Sequence, residues 1–212
     1  MRVVGGRARG TKLLGPPSEG TRPISDRAKE AMFNILGPGI RDGRVLDLFA
    51  GTGAVGIEAL SRGAAEAVLV ERDREVVAVI RANLAKTRLA DRATVVPTDV
   101  FAWLERHARD GASPEGPRAD GPATPPGAHR GGDGGATRRF DVVFSGPPQW
   151  QGLWSRSLAA LDERAGALLA EDAVVIVQLD PREEADEPPV TRLRLDDRRR
   201  YGNVALRFYS VA

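Results

Sequence analysis

Residues 45–53 read Val-Leu-Asp-Leu-Phe-Ala-Gly-Thr-Gly, an apolar run that carries one acidic residue, Asp47, and then breaks into a turn with two glycines. A helical pattern follows from Val55 to about Ser61. A strand that enters a glycine-rich turn at the start of a helix exposes backbone N–H groups to a ligand, because no side chain stands in the way. The stretch therefore predicts an α/β domain with a ligand site at this turn.

Two kinds of ligand suit the turn. The string Gly51-Thr-Gly53-Ala-Val-Gly56 fits the glycine pattern of dinucleotide sites, and acidic Glu71 follows at about the expected 20 residues. A dinucleotide would place its pyrophosphate at the helix start, however, where Asp47 would face it unfavourably. S-adenosylmethionine (SAM) carries an ammonium and a sulfonium instead, so Asp47 favours a SAM site. A plain turn that Asp47 caps is the remaining interpretation.

Length and composition exclude several classes of protein. The chain has 212 residues and 42% hydrophobic residues, which fits one domain with additions. It has no Cys and two His, which excludes disulfides and thiolate zinc sites and argues against a histidine-rich metal site. No apolar run is long enough to span a membrane, and the N-terminus lacks a signal-peptide pattern. We expect a cytoplasmic protein with no metal and no membrane partner.

Positive charge is concentrated at the start of the chain. Residues 1–44 hold nine Arg and Lys against four Asp and Glu, although the net charge of the whole chain is only +2. A basic lobe beside a SAM fold predicts a polyanionic substrate such as nucleic acid. A solvated face in an arginine-rich chain is the alternative.

Strands and helices alternate along the rest of the chain, which predicts a mostly parallel, doubly wound sheet of seven strands with a small N-terminal β extension. Residues 1–25 form the basic extension and residues 26–212 the main domain. Residues 109–138 contain 13 Gly and Pro in 30 positions and are predicted to be a disordered insertion. We expect helices at 26–36, 55–61, 74–86, 101–107 and 153–161, and strands at 2–4, 11–14, 44–49, 67–71, 93–97, 140–144, 173–179, 190–195 and 204–209.

Acidic residues stand at three successive strand ends. Glu71 ends the run Val-Leu-Val-Glu and could accept hydrogen bonds from both ribose hydroxyls of a nucleoside. Asp99 follows the third strand and could bind the adenine amino group. Each is weak evidence alone, because acids commonly end strands at solvent. Together with Asp47 and the glycine turn they mark the ligand-binding edge of an open α/β sheet.

The fourth strand ends Phe144-Ser-Gly-Pro-Pro-Gln-Trp150. Two prolines fix the backbone and leave carbonyl groups without local N–H competitors, which suits them to hold an exocyclic amino group. A nearby Trp can stack on a base. A strand terminator followed by a packed Trp is the alternative interpretation.

The chain resembles the bacterial small-subunit rRNA guanine-N2 methyltransferases of the RsmD type. The resemblance covers nearly the whole chain except the insertion, and the Arg22–Leu36 stretch is its most specific part. It implies a Rossmann-like methyltransferase fold, SAM as methyl donor, and methylation of a guanine amino group in 16S rRNA. The matching segments are residues 2–6, 21–36, 46–62, 70–73, 147–148 and 202–209.

The resemblance and the motifs together predict three sets of site residues in a monomeric enzyme that acts on 16S rRNA or a small-subunit assembly particle. The SAM-binding set is Asp47, Ala50, Gly51, Thr52, Gly53, Glu71, Arg72, Asp99 and Val100. The catalytic set, which would hold a flipped base, is Ser145, Pro147, Pro148 and Trp150. The RNA-binding set is Arg7, Arg9, Arg22 and Arg27.

The motif after the fourth strand departs from the family pattern. The family has Asp or Asn directly before the two prolines and an aromatic residue directly after them, where this chain has Gly146 and Gln149. Loss of one such hydrogen-bonding group costs roughly 10²–10³ in rate in other enzymes. Two other functions therefore stay open: a SAM- and RNA-binding factor in ribosome assembly, and an amino methyltransferase that acts on DNA.

Overall fold

The structure, a computed structural model, describes residues 1–16, 24–109 and 139–212. Residues 110–138 of the predicted insertion and Arg22 of the predicted RNA-binding set lie outside the described residues. The helices of the described part are α1 (Asp26–Leu36), α2 (Ala54–Ser61), α3 (Arg74–Thr87), α4 (Val100–Arg109) and α5 (Leu153–Leu168). The strands are β1 (Arg44–Leu48), β2 (Glu66–Glu71), β3 (Ala93–Pro97), β4 (Phe140–Ser145), β5 (Leu169–Leu179), β6 (Leu193–Tyr201) and β7 (Val204–Val211).

The strands form one sheet in the order β3-β2-β1-β4-β5-β7-β6. The first five strands of this order run parallel, whereas β7 is antiparallel to both β5 and β6. The predicted α/β fold with a mostly parallel seven-stranded sheet is confirmed. The strand order reverses between β1 and β4, and open α/β sheets bind ligands at such a switch point, beyond the carboxyl ends of the strands.

Two apolar layers cover the sheet. One face packs against α1, α2 and α3 through side chains such as Phe33, Ile57 and Ile80. The other face packs against α4 and α5 through Trp103 and Leu158. Because side chains alternate along a strand, neighbouring residues of β4 point into different layers. This alternation decides which residues at the end of β4 can reach a ligand.

Helix α2 is unusual because all eight of its residues are buried. It lies so close to the sheet that a Cβ at Gly56 would come within 2.9 Å of Leu69 Cδ2. Only glycine permits this approach, as in the third position of the glycine pattern of nucleotide-binding folds. The tight packing fixes the start of α2, and hence the turn before it, against β1 and β2.

Several predicted boundaries were wrong in detail. Helix α5 continues to Leu168 and passes directly into β5, where a loop was expected. The predicted strands at 2–4 and 11–14 reduce to one antiparallel bridge between Arg2 and Lys12.

On α1, Ile35 is 43% exposed, whereas Lys29 is fully buried because its charge is paired inside the protein.

A buried carboxylate, Glu58, attaches the start of the chain to α2. It accepts hydrogen bonds from the backbone N–H groups of Val4 at 2.8 Å and Gly5 at 2.7 Å. Its carboxylate also lies 3.4 Å from the ammonium of Lys29 and 2.8 Å from Arg62 Nε. Burial lowers the pKa of Lys29, and Glu58 opposes that shift. This arrangement, the Glu58 cluster, joins α1, α2 and the N-terminal residues.

A second buried side chain, Asn83 of α3, makes a comparable link. Its Oδ1 accepts from Leu14 N at 2.7 Å, and its Nδ2 donates to Leu14 O at 3.2 Å and Thr52 O at 3.0 Å. One amide group thus binds both the N-terminal residues and the glycine-rich turn. The start of the chain and the turn after β1 are therefore held in a fixed relation.

Candidate active site

A cavity of about 50 Å³ lies at the switch point, beyond the carboxyl ends of β1 and β4. The register brings the two strand ends together, since Asp47 pairs with Phe144 and Leu48 with Ser145. We define residues 49–53 as the glycine turn. On the β1 side the cavity is lined by residues 49–52 of this turn, together with Asp47, Ala54 and Val55. The remaining lining residues are Phe144, Gly146, Gln178, Pro16 and Ile24.

Asp47 lies at the base of this cavity and is 1% exposed. Its Oδ2 accepts a hydrogen bond from Gly56 N at 2.9 Å, which ties the carboxyl group to the first turn of α2. Burial raises the pKa of Asp47 from 3.8 to about 8, the Gly56 N–H opposes this, and the nearby charge of Glu71 adds to it. Without a cation beside it the group is therefore mostly protonated at neutral pH, and a bound cation would favour its ionised form.

The glycine turn has an unusual backbone that is held at several points. Phe49, Gly51 and Gly53 all have positive φ angles, of 57°, 53° and 76°. Ala50 N donates to Val70 O at 3.0 Å, and Gly53 N donates to Ala50 O at 2.8 Å. A Cβ at Gly51 would meet only Phe49 O at 3.9 Å, so this residue presents open backbone. The turn can thus approach a ligand closely without losing its shape.

Glu71, at the end of β2, is hydrogen-bonded to the glycine turn. Its Oε2 accepts from Gly51 N at 3.0 Å, and its Oε1 accepts from Arg72 N at 2.8 Å and Asp73 N at 3.0 Å. Arg72 itself is exposed. The structure therefore brings Asp47, the glycine turn and Glu71 together along one edge of the sheet.

Asp99, after β3, acts as the N-cap of α4. Its Oδ1 accepts from Phe101 N at 2.9 Å and Ala102 N at 3.1 Å, and Val100 beside it is 3% exposed. The ring of Phe101 lies 6.0 Å from that of Phe49 in an edge-on arrangement. Asp99 thus stands at the same edge of the sheet, but one of its oxygens is already engaged in capping.

The loop after β4, which we call the Pro-Pro loop (residues 146–152), begins at the cavity. Gly146 N donates to Leu48 O at 3.2 Å, which extends the β1–β4 pairing by one bond. A Cβ at Gly146 would lie 2.7 Å from Cε1 of Phe144, so the aromatic ring occupies the space that a larger side chain would need. Pro147 is buried and Pro148 half-buried directly beyond it.

None of the four residues of the predicted catalytic set lines the cavity. Ser145 is fully buried, and its Oγ lies 2.9 Å from Ser157 Oγ of α5, in the opposite layer of the protein from Phe144. Trp150 is 57% exposed and lines a separate, outer cleft. Gln149, which replaces the aromatic residue of the family pattern, has a buried Nε2 without a hydrogen-bond partner among the described residues.

The predicted RNA-binding arginines that the structure describes lie on the surface. Arg7 donates from Nη2 to Arg88 O at 3.1 Å and lies 4.0 Å from Asp91. Arg9 and Arg27 are exposed. None of the three lines the cavity. Any contact they make with RNA would therefore be at the periphery of the site.

Sequence reasoning missed four residues that shape the site: Glu58, Asn83, Phe144 and Gln178. A signal existed for two of them. Glu58 interrupts the otherwise apolar pattern of α2, and Gln178 interrupts the apolar run of β5. The contacts of Asn83 and Phe144 depend on tertiary packing, which no local pattern reports.

The described residues contain no group of three or more His, Asp or Glu side chains that could hold a metal ion. None of the described helices is long and apolar enough to cross a bilayer.

Comparison with known proteins identifies the family of the chain. Residues 1–113 match the family model described as conserved hypothetical protein 95. The chain is 36% identical over 178 residues to ribosomal RNA small subunit methyltransferase D of Escherichia coli strain K12, covering 84% of this chain and 74% of that one.

Solved structures are also similar. The yhhF protein of Escherichia coli aligns with a TM-score of 0.75 at 31% identity, over 100% of this chain and 97% of that one. A hypothetical protein of Thermus thermophilus aligns with a TM-score of 0.69 at 33% identity, over 100% and 99%. The chain therefore belongs to the family of the ribosomal RNA small subunit methyltransferases D.

Proposed function

We propose that the protein is a cytoplasmic, monomeric enzyme that transfers a methyl group from SAM to the exocyclic N2 of a guanine in small-subunit (16S) rRNA. The observation that carries this proposal is the cavity that joins the glycine turn and Asp47 to Gly146 of the Pro-Pro loop. A methyl donor held at the turn and an amino group held at the loop would meet there. Membership of a family whose named members include an rRNA methyltransferase supports the choice of substrate.

The residues on the β1 side fit SAM. When bound, SAM supplies a methyl group attached to a positively charged sulfur. Asp47 is suited to face its cationic end, because the buried carboxyl group gains a partner for its ionised form. Gly51 and Thr52 offer backbone at the cavity wall, and Glu71 can accept from the ribose hydroxyls. Arg72, Asp99 and Val100 would border the adenine.

The cavity is smaller than the whole cofactor. At about 50 Å³ it has room for the reacting end of the donor and the amino group, not for an entire nucleoside. We infer that the adenosine part lies outside it, along the edge formed by Glu71, Asp99 and Phe101. The Phe49 and Phe101 rings meet at that edge, and the Arg156 guanidinium covers one face of Phe101 at 3.7 Å.

The acceptor side depends on backbone carbonyl groups. The lone pair of a guanine N2 is delocalised into the ring, so acceptors must hold the amino group in line with the breaking sulfur–carbon bond. The carbonyl oxygens around Pro147 and Pro148 are our candidates. Residues of the turn would hold SAM as the source of the methyl group, the loop carbonyls would hold the amino group, and the methylated nitrogen would release one proton to solvent.

The remaining predicted residues take supporting roles in this proposal. The hydrogen bond between Ser145 and Ser157 anchors the end of β4. This contact would position the Pro-Pro loop that follows. Arg7, Arg9 and Arg27 at the rim would bind phosphates, as would Arg22, and RNA affinity should fall with added salt.

The test is methyl transfer from labelled SAM to small-subunit particles that lack the modification, followed by nucleoside analysis of the product. We expect N2-methylguanosine from the wild type. Label in another nucleoside would contradict the guanine assignment, and label only in DNA controls would indicate the DNA-directed alternative.

A second function is favoured by one observation. Gly146 lacks the acidic side chain of the family pattern, and the ring of Phe144 fills the space where it would stand. A protein that binds SAM and RNA without turnover, as an assembly factor, would tolerate this change. Normal SAM affinity together with no methyl transfer in a single-turnover reaction would establish that function instead.

A further inference from the structure

The outer cleft lies beside the Pro-Pro loop and has no part in the proposed methyl transfer. It has a volume of about 280 Å³ and is lined by Trp150, Asp180, Pro181, Arg182, Arg200 and Asn203. This volume is just below the roughly 300–1,000 Å³ of typical small-ligand pockets. The cleft could therefore take one nucleotide but not a larger folded element.

Trp150 provides an aromatic face that is exposed and held in place. It is 57% exposed, whereas Trp103 and Trp154 are 2% and 1% exposed. Its backbone has a φ angle of 67°, which is rare for a bulky residue. The backbone N–H of Trp150 donates to Oε1 of buried Glu183 at 3.0 Å, and this hydrogen bond stabilises the backbone conformation. A strained residue that presents an indole to solvent indicates a ligand contact.

Two arginines flank this indole without acidic partners. Within residues 1–16, 24–109 and 139–212, neither Arg182 nor Arg200 forms a salt bridge. Arg182 lies 5.5 Å from the centre of the Trp150 ring. Three other arginines of β6, by contrast, are paired with carboxylates: Arg194 with Asp196, Arg198 with Glu187 and Arg199 with Asp197. The arginines of the outer cleft without an acidic partner are thus Arg182, in the segment after β5, and Arg200, near the end of β6.

Asp180, the one acidic residue that lines the cleft, stabilises the local backbone. Oδ1 of Asp180 accepts from Arg182 N at 2.9 Å, and the residue is 6% exposed. Asn203, in the turn between β6 and β7, is exposed and offers both an amide donor and an acceptor. An aromatic face, two guanidinium groups without carboxylate partners and an amide are the groups that recognise a base and its phosphates.

The outer cleft is close to the cavity along two chain segments. Gly146 lines the cavity and Trp150 the cleft, so at most about 14 Å of extended chain separates them. Likewise Gln178 lines the cavity, and Asp180, two residues later, lines the cleft. A nucleotide next to a base held at the cavity would be within reach of Trp150.

We propose that the outer cleft binds the nucleotide adjoining the methylated guanine, with its base stacked on Trp150 and its phosphates beside Arg182 and Arg200. This inference rests on the proposed function, because it takes single-stranded RNA to be the substrate. It assigns Trp150 to substrate positioning next to the reacting base, not to the reaction itself.

Intrinsic fluorescence gives a direct test. Since the other two tryptophans are buried, quenching by an added RNA ligand will report mainly on Trp150. We expect a single-stranded RNA oligonucleotide to quench the wild type saturably, and Trp150→Phe to show no such quenching while it retains RNA binding. Quenching of the same size in Trp150→Phe would overturn the inference.

Affinity and turnover provide the second test. We expect Trp150→Ala to weaken RNA binding by about 5- to 150-fold, the range for loss of one base stack, and Arg200→Ala to reduce the dependence of binding on salt. Arg199→Ala is the matched control, because Arg199 is on the same strand but paired with Asp197. In methyl transfer, the effect of Trp150→Ala should be on KM for RNA more than on kcat, with Trp150→Phe restoring KM.

The two proposals fail differently. If the wild type transfers methyl groups to rRNA, but Trp150→Ala and Arg200→Ala bind RNA as Arg199→Ala does, the cleft assignment is wrong and the enzyme assignment stands. If the wild type binds RNA with quenching but transfers nothing, the cleft assignment stands and the enzyme assignment is wrong.

Discussion

The two sides of the cavity are built in opposite ways. The glycine turn is tied to its surroundings through Glu71 and Asn83, and Asp47 holds the first turn of the helix that follows it. The Pro-Pro loop carries an exposed Trp150 with positive φ and a Gln149 whose buried amide nitrogen has no partner among the described residues. The donor side is therefore fixed by buried polar contacts, whereas the acceptor side exposes an indole and holds a buried amide nitrogen without a partner among the described residues.

The largest effect should come from the Glu58 cluster. Glu58→Ala would leave the buried charge of Lys29 without its partner and the N–H groups of Val4 and Gly5 without acceptors. We expect the free energy of unfolding in urea to fall by about 3–5 kcal/mol, the cost of breaking a buried ion pair. Glu30→Ala, an exposed change on α1, is the control. Equal unfolding midpoints for the two variants would show that the donor side is not held by this cluster.

The next effect concerns the acceptor side. Gly146→Asp alone should change methyl transfer little, because its Cβ would lie 2.7 Å from the Phe144 ring. In combination with Phe144→Leu, the new carboxylate has room, and we expect single-turnover transfer to rise by up to about 10²-fold. Gly146→Ala with Phe144→Leu controls for the added Cβ. If the alanine and aspartate versions react at the same rate, the missing acid is not what limits the acceptor side.

A smaller effect is expected at Glu71. Glu71→Ala removes a charged acceptor from the edge that would hold the ribose of SAM, and frees Gly51 N. We expect SAM binding, measured by calorimetry, to weaken by about 1–3 kcal/mol. Glu75→Ala, an exposed change in the next helix, should bind SAM like the wild type. Unchanged affinity in Glu71→Ala would remove Glu71 from the donor site.

The last effect is a pH dependence of stability from Asp47. Its pKa rises from 3.8 to about 8 on folding, so between these values the folded state binds a proton that the unfolded state has lost. The contribution of Asp47 to the free energy of unfolding is therefore fully present at low pH, and it falls as the pH rises from about 4 to 8. Asp47→Asn keeps an acceptor for Gly56 N–H but cannot ionise. We expect it to be more stable than the wild type at pH 8 by at least about 1 kcal/mol, and to bind SAM poorly.

Chemical denaturation across the pH range checks this directly. Asp172→Asn, at an exposed position of β5, provides the control for loss of one negative charge. A wild-type profile that runs parallel to that of Asp47→Asn between pH 5 and 8 would contradict the assignment of this pH dependence to Asp47.

Much of the fold could be predicted from the sequence because its signals are local. The apolar runs of the parallel strands and the glycine turn each report on their own surroundings. The direction of Ser145 could not be predicted, since it depends on which layer each residue of β4 faces. Nor could the separation of Trp150 from the cavity, because it depends on the contact with Glu183, 33 residues away.

The link from Asn83 to Leu14 has a consequence for the order of events during synthesis. The two residues are 69 positions apart, so the first strand-like segment leaves the ribosome well before its partner exists. At roughly 5–20 residues per second, the delay is about 3–14 s. Until Glu58 and then Asn83 are made, the basic start of the chain lacks these attachment points. The start of this chain thus stays unattached and positively charged early in synthesis, and folds against the domain only after those residues have been made.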